Sequence, residues 1–272
     1  MTMPASAASR QPTATAGARS RTLFAGERLS ARVSWYAPGL RMQRHTHDCH
    51  QLSLLLLGTL GEQTPQQEVR LATSAVGLKP AGLVHANDYG PSGALILGIN
   101  LPTTFDLKDG LGIEQGWQWR EQPASMVLAR GGTTLAQLLT GDLPAMQAEA
   151  SLWELLATMV TAGQRPPGAP PRWLALACER LREEPVSLAT LAREQGLHPV
   201  YFARAFARWI GCTPSAFRMR AQLQRALPLL AAGHSLATAA CQAGFADQAH
   251  LSRVTRQHSG LTPARLAALL RE

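Results

Sequence analysis

The chain has 272 residues, nearly half of them hydrophobic, and carries a formal net charge of +8. That is enough for one large or two ordinary domains with real cores. No apolar run reaches the length of a membrane span, and the start lacks the apolar stretch of a secretory signal. The excess charge is localised: Arg172 to Glu272 hold 13 Arg and 6 acids, whereas the preceding residues are nearly balanced. A polyanion partner for the last third is one reading of this asymmetry, and a solvated surface is the other. Cys49, Cys178, Cys212 and Cys241 are scattered without a CxxC pair. They read as free thiols of a reducing, cytoplasmic compartment.

In chain order, residues 1–22 are mostly small, polar or basic and read as a disordered tail. Residues 23–130 read as β structure, because apolar runs such as Leu52 to Leu57 and Ala94 to Ile99 alternate with Gly, Pro and Asn. Residues 131–163 change to helical spacing, with Leu135, Leu138 and Leu139, then Leu152, Leu155, Leu156 and Met159. This segment either closes the preceding core or forms a homodimer interface. Four prolines in Arg165–Pro171 cannot continue a helix, so residues 164–172 read as a stiff linker.

Residues 173–272 read as all helix and repeat themselves. Ser187-Leu-Ala-Thr190 recurs as Ser235-Leu-Ala-Thr238, and Gly211-Cys-Thr-Pro214 recurs as Gly260-Leu-Thr-Pro263. In each copy a serine can cap a short helix, a glycine (Gly196 or Gly244) can turn the chain, and a second helix follows. That is the logic of a helix-turn-helix. Thr213 as cap and Pro214 as first residue start a linking helix running to about Ala232, roughly 28 Å at 1.5 Å per residue. Such a helix can place two reading helices about one DNA turn apart, roughly 34 Å.

This third resembles the DNA-binding domain of AraC-type transcription regulators. The likeness rests on the Leu188-to-Gly196 helix and turn and on the Phe206 to Pro214 segment. It rests further on the run Ala239 to Arg253, with its Gly-Phe-x-Asp-Gln core, and on the closing Gly260-x-Thr-Pro263. Thr255 departs from the family, which usually carries Phe there as the counterpart of Phe206. That leaves the second core less apolar or repacked. The resemblance implies base contacts from Val200, Ala203 and Arg204 in the first unit, and from Gln248, Ala249, Ser252 and Arg253 in the second. Arginine can bond guanine bidentately and glutamine can read adenine. Arg218, Arg220 and Arg225 on the linking helix are expected to contact phosphates or to be solvated.

In the β region, Gly39-x5-His45-x-His47-x3-Gln51-x6-Gly58 and Pro80-x-Gly82-x2-His85 resemble the two signature motifs of cupin barrels. Cupin enzymes hold a metal with two His and a Glu from the first motif and a His from the second. The matching positions are His45, His47, Gln51 and His85, with neutral Gln51 in place of the carboxylate. They form a metal site for a divalent transition ion, a polar effector pocket, or simply internal hydrogen bonds. His50 is read as a surface residue.

The expected fold is α+β and multidomain: a cupin-like β-barrel with flanking helices, then an all-α double helix-turn-helix domain. The expected function is a sequence-specific, non-enzymatic transcription regulator controlled by a small-molecule effector. Its partners would be double-stranded DNA, a second copy of itself and RNA polymerase. The alternatives are a metal-dependent cupin oxygenase or isomerase with a helical appendage, and a purely architectural DNA binder.

Overall fold

A computed structural model gives the fold and describes residues 16–71, 74–108, 118–121, 125–161, 169–184 and 186–271. The described N-terminal strands are β1 (Ala18–Ala25), β2 (Ser30–Tyr36), β3 (Arg41–His45), β4 (His50–Gln63), β5 (Glu68–Leu71), β6 (Ala75–Lys79), β7 (His85–Leu101) and β8 (Gln118–Glu121). They form one antiparallel sheet in the order β1-β2-β7-β4-β6-β8, with β3 added on β7 and β5 on β4. Two long strands, β4 and β7, pair along most of their length and carry the other strands on both sides. The sheet rolls about this pair, so strands β1, β2, β3, β4, β6 and β7 all face one cavity. This is the cupin-like barrel expected from the two histidine motifs.

Side chains alternate across the rolled sheet as a pleat requires. Leu52, Leu54, Leu95, Leu97 and Ile99 face outward into a buried core. Leu55, Leu60, Tyr89, Ala94 and Ile96 face inward. At a bulge in the β4–β7 ladder Gly58 has φ +92°, and a Cβ there would lie 2.0 Å from the Gly93 carbonyl oxygen. Only glycine fits that approach.

The described helices are α1 (Ser125–Thr140), α2 (Ala145–Thr161), α3 (Trp173–Glu183), α4 (Leu188–Glu194), α5 (Pro199–Ile210), α6 (Pro214–Ala231), α7 (Leu236–Ala243), α8 (Gln248–Ser259) and α9 (Pro263–Arg271). No described helix is long and apolar enough to cross a membrane. Leu135, Leu138 and Leu139 of α1 and Leu152, Leu155, Leu156 and Met159 of α2 are buried in the outward-facing core of the barrel. The helical segment therefore covers the sheet.

Two boundaries differ from the sequence reading. Structure begins at Ala18, inside the span read as a disordered tail, while residues 1–15 lie outside the described ones. β1 is an edge strand held by its ladder to β2, and its exposed first half, residues 18–22, carries no large apolar side chain. Likewise α1 starts at Ser125 and runs through Gly131-Gly132, two residues that weaken an isolated helix by about 1 kcal/mol each. Packing explains their place. A Cβ on Gly131 would lie 2.3 Å from Leu54 Cδ2, and one on Gly132 would lie 3.0 Å from Gly260 N. The linker reading for 164–172 falls largely on residues outside the described set.

The helical third contains two cores. Residues of α3, α4 and α5 bury Leu174, Leu181, Leu191, Phe202 and Phe206 together with Phe217 of α6. The remainder of α6 with α7, α8 and α9 is continuous with the barrel core. Gln224 Nε2 donates to Gly58 O at 3.0 Å, Arg265 to Leu139 O at 2.7 Å, and Arg19 to Leu270 O at 2.6 Å across this junction. The closest backbone approach is at Gly260 (φ +70°), where a Cβ would lie 2.2 Å from Gly132 O. Gly260→Ala is expected to destabilise the protein by at least about 2 kcal/mol, from left-handed strain and overpacking together. Chemical denaturation should show this as a lower midpoint. An unchanged midpoint would mean the contact is slack.

Candidate nucleic-acid interface and barrel pocket

Each helix-turn-helix is built as its residues dictate. Ser187 Oγ accepts from Thr190 N at 3.0 Å to start α4, and Ser235 Oγ accepts from Thr238 N at 3.1 Å to start α7. Gly196 and Gly244 take positive φ at the turns. The second helices start at His198, whose Nδ1 accepts from Val200 N, and at Asp247, whose carboxylate accepts from His250 N at 2.6 Å. Thr213 and Thr262 repeat one more cap, accepting from Ala216 N and Arg265 N.

Phe202, Phe206 and Ile210 turn one face of α5 inward, leaving Val200 and Arg204 exposed and Ala203 half-buried. Tyr201 and Arg208 lie on the same open side. In α8, Leu251, Val254, Thr255, His258 and Ser259 face inward. Gln248, Ala249 and Arg253 are exposed and Ser252 is half-buried, with Arg256 exposed beside them. All seven residues expected to read DNA thus lie on accessible faces of the two second helices. Arg208 and Arg256 also fall on the exposed helical faces opposite the apolar stripes.

Thr255 is fully buried, and its hydroxyl donates to Leu251 O at 2.8 Å. Ser259, one turn on, donates to Thr255 O at 2.7 Å. The second core is repacked around these small residues, and the stripe they form ends against Gly132 of α1.

The linking-helix arginines require a correction. Arg218 donates to Val186 O, and Arg225 donates to Arg182 O and, at 3.1 Å, to Ala243 O. Arg220 is half-buried against His258, with Nε 3.4 Å from Nδ1. Arg218 and Arg220 are half-buried and held within the domain, whereas Arg225 is exposed and bonds the Arg182 and Ala243 carbonyls at the surface. Arg182 and Ala243 lie at the ends of α3 and α7, where unpaired carbonyls attract cations.

Inside the barrel, His45, His47, Gln51 and His85 converge on a cavity of about 270 Å³. His45 ends β3, His47 lies in the turn beyond it, Gln51 is on β4 and His85 starts β7. Ring centroids are 4.3 Å apart for His45–His85, 5.0 Å for His45–His47 and 5.1 Å for His47–His85. His45 Nδ1 lies 2.8 Å from Gln43 O, and His85 Nδ1 lies 3.0 Å from Leu83 O. A carbonyl only accepts, so both Nδ1 atoms carry the proton, which leaves Nε2 as the ligating nitrogen of each neutral ring. His85 Nε2 is buried without a partner. One ligand atom from each imidazole lies within 4.8 Å of the others. This donor set, with its second nitrogens fixed by carbonyls, fits a transition-metal cation.

Burial and the nearby Lys79 charge hold His47 down at about 3 and His85 at about 4, so both are neutral near pH 7. His50 Nδ1 accepts from Ala81 N at 3.1 Å and pins the turn after β6.

Four further pocket groups gave no motif: Arg32 and Tyr36 of β2, Lys79 of β6 and Tyr89 of β7. Lys79 pairs with buried Glu62 at 3.1 Å, and Asn87 and Trp119 also donate to that carboxylate, at 2.8 and 3.0 Å. Burial opposes the charge on Glu62, but these partners outweigh it and hold its carboxyl below the usual value. Strand alternation could have found Arg32 and Tyr36, since Ala31, Val33 and Trp35 between them are core.

Comparison with known proteins decides the helical third. Residues 191–268 match the family model described as "Helix-turn-helix domain". Residues 191–268 are a helix-turn-helix domain, in line with the resemblance to AraC-type regulators. Over 87 residues the chain is 33% identical to the bifunctional transcriptional activator/DNA repair enzyme Ada of Escherichia coli, covering 32% of its length and 25% of Ada. The chain thus spans about a quarter of the length of the curated relatives it matches. Among solved structures, ToxT from Vibrio cholerae aligns over 90% of this chain and 100% of its own, with 10% identity and a TM-score of 0.35. An RmlC-like cupin from Shewanella frigidimarina aligns over 32% of this chain and 77% of its own, with 20% identity and a TM-score of 0.30. Alongside its helix-turn-helix domain, this chain carries the barrel described above.

His47 and His85 have folded pKa values below the unfolded value near 6.5, so their contribution to stability is full above that value. It is lost as pH falls from about 6.5 towards 4 and 3. The melting temperature is expected to drop across that window, and His47→Asn with His85→Asn should flatten the drop. Buried His258, held near 4 by burial and by Arg220, will keep part of it. A double variant with the wild-type profile would contradict the assignment.

Proposed function

We propose that this chain is a sequence-specific DNA-binding transcription regulator, controlled by a small effector in its barrel. The observation that carries this reading is the duplicated, separately capped helix-turn-helix whose two second helices both present accessible Arg-bearing faces. Helix α6 spans 18 residues, about 27 Å, a length suited to setting two helices into successive major grooves. Arg204 and Arg253 act as base readers, Gln248 reads adenine, and Val200, Ala203, Ala249 and Ser252 supply close contacts in the groove. The regulator works in the cytoplasm and as a homodimer. Helix α2 offers the dimer its outer face, where Met146 is 81% exposed. RNA polymerase is its partner at promoters.

Arg204→Ala is expected to remove preference at one base pair, at a cost of about 1–3 kcal/mol on the selected site, while binding to random duplex changes little. Selection from a random duplex library followed by gel shifts measures both. A uniform loss on all sequences would assign Arg204 to phosphate contact.

A metal-dependent barrel enzyme is the second reading, favoured by the three converging imidazoles. His45, His47 and His85 would hold the cation, and a transition metal there would supply Lewis-acid chemistry. Neutral Gln51 weakens the site for a cation, and among the described residues the carboxylate of Glu62 is engaged by Lys79. Elemental analysis of purified protein and a turnover screen separate the readings. The regulator reading expects no turnover, with or without bound metal, and metal-dependent turnover would replace it.

A further inference from the structure

Arg32 sits half-buried on the cavity face of β2, between Ala31 and Val33, which are each 1% exposed. Its guanidinium makes no hydrogen bond or ion pair with any described residue. Every other charge at the cavity has an answer. Lys79 is matched by Glu62, and that carboxylate is further held by Asn87 and Trp119. The cavity therefore holds one uncompensated positive charge in a partly desolvated setting, where a guanidinium gains most from an anionic partner.

The opposite lining is apolar and aromatic. Met42, Leu60 and Ile96 surround Tyr89, which stacks on Tyr36 with centroids 4.1 Å apart and rings 3° from parallel. Strand register separates the two ends. Arg32 stands opposite Gly98, which is opposite Ser53, and Lys79 stands opposite Gln51. Tyr36 is four residues along β2 and opposite Ala94, towards Leu60 and Tyr89. The register thus sets Arg32 towards Ser53 and the apolar Tyr36–Tyr89 stack towards Leu60, with Asn87 and the Lys79–Glu62 pair next to that stack. Its volume of about 270 Å³ lies just below the usual range for ligand pockets, roughly 300–1,000 Å³, and suits only a small ligand.

We propose that the effector is a small monocarboxylate with an apolar body, its carboxylate bound by Arg32 and its body lying against Tyr89, Leu60 and Ile96. This rests on the reading of the barrel as an effector pocket and names the ligand class. The guanidinium fork matches a carboxylate bidentately, which a neutral amide cannot reproduce. Gln51 and Ser53 beside it can donate to the same oxygens.

The test uses the full chain and four acids: acetate, butyrate, benzoate and phenylacetate, each beside its amide. Calorimetry should find at least one of the larger acids bound at least tenfold more tightly than its amide, with acetate weakest. Arg32→Gln should lose roughly 10- to 100-fold in affinity for that acid, as expected for hydrogen bonds to a charged group. Arg32→Lys should recover part of it. Equal binding of acids and amides, or no binding of any acid, overturns the proposal on wild-type protein alone, whatever the variants' stability. Gel shifts on the ligand-free chain read the regulator function separately. Specific DNA binding without acid preference sinks only this inference, whereas acid preference without DNA binding sinks the regulator.

Discussion

The register between β4 and β7 is the constraint on which the rest of the molecule depends. One face of this pair carries Gln51, Ser53, Leu60, His85, Asn87, Tyr89 and Ile96 to the cavity. The other carries Leu52, Leu54, Leu95, Leu97 and Ile99 to the core under α1 and α2. A slip of one residue would exchange the two sets, placing leucines in the pocket and polar side chains under the helices. The register is fixed from both sides. Bulges near Leu57 and Leu60 break the ladder, and between them Gly58 lets the chain pass within contact of Gly93. At that bulge Gly58 O is left to accept from Gln224 of α6. The same irregularity that sets the pocket therefore also receives the helical third.

Glycine and other small residues do comparable work at the second junction. Gly131 brings α1 down onto Leu54, whose neighbour Ser53 lines the cavity. Gly132 brings the same helix against Gly260, at the end of α8. Ordinary side chains at either position would separate these elements, because close-packed interiors leave no slack for an added methyl group. Thr255 belongs to this arrangement. A large aromatic residue has no evident room on a stripe that closes against a helix at backbone distance. The loss of apolar surface at Thr255 is offset by a core shared with the barrel, through Leu223, Leu227, Leu251 and Leu270.

Much of this was legible in the sequence, because the relevant signals are local. Serine and threonine caps, the Thr-Pro helix starts and the turn glycines act within four residues, and the repeat displays each of them twice. The histidine cluster was legible through motif spacing. What could not be read depends on contacts distant in the chain. Residues 18–22 lack apolar side chains because an edge strand is held by backbone bonds. Gly131-Gly132 reads locally as a break and is helical only because Leu54 and Gly260 lie against it. Arg218 and Arg220 resemble solvated charges until Val186 and His258, 32 and 38 residues away in the chain, are in place beside them. Lys79 and Glu62 lie on separate strands, and their pairing needs the sheet order.

The two reading helices are consequently held in different ways. α8 belongs to a core continuous with the barrel, so it can shift relative to the pocket only by disturbing the packing at Gly132 and Gly58. α5 belongs to a separate core around Phe202 and Phe206, joined to the rest mainly through α6. Arg225 reaches both units from α6, binding the end of α3 in one and the end of α7 in the other. Coupling between pocket and DNA requires a ligand that favours one arrangement of the readers over another. α6, with its Arg225 bridge, is the element that joins the α5 core to the core shared with the barrel.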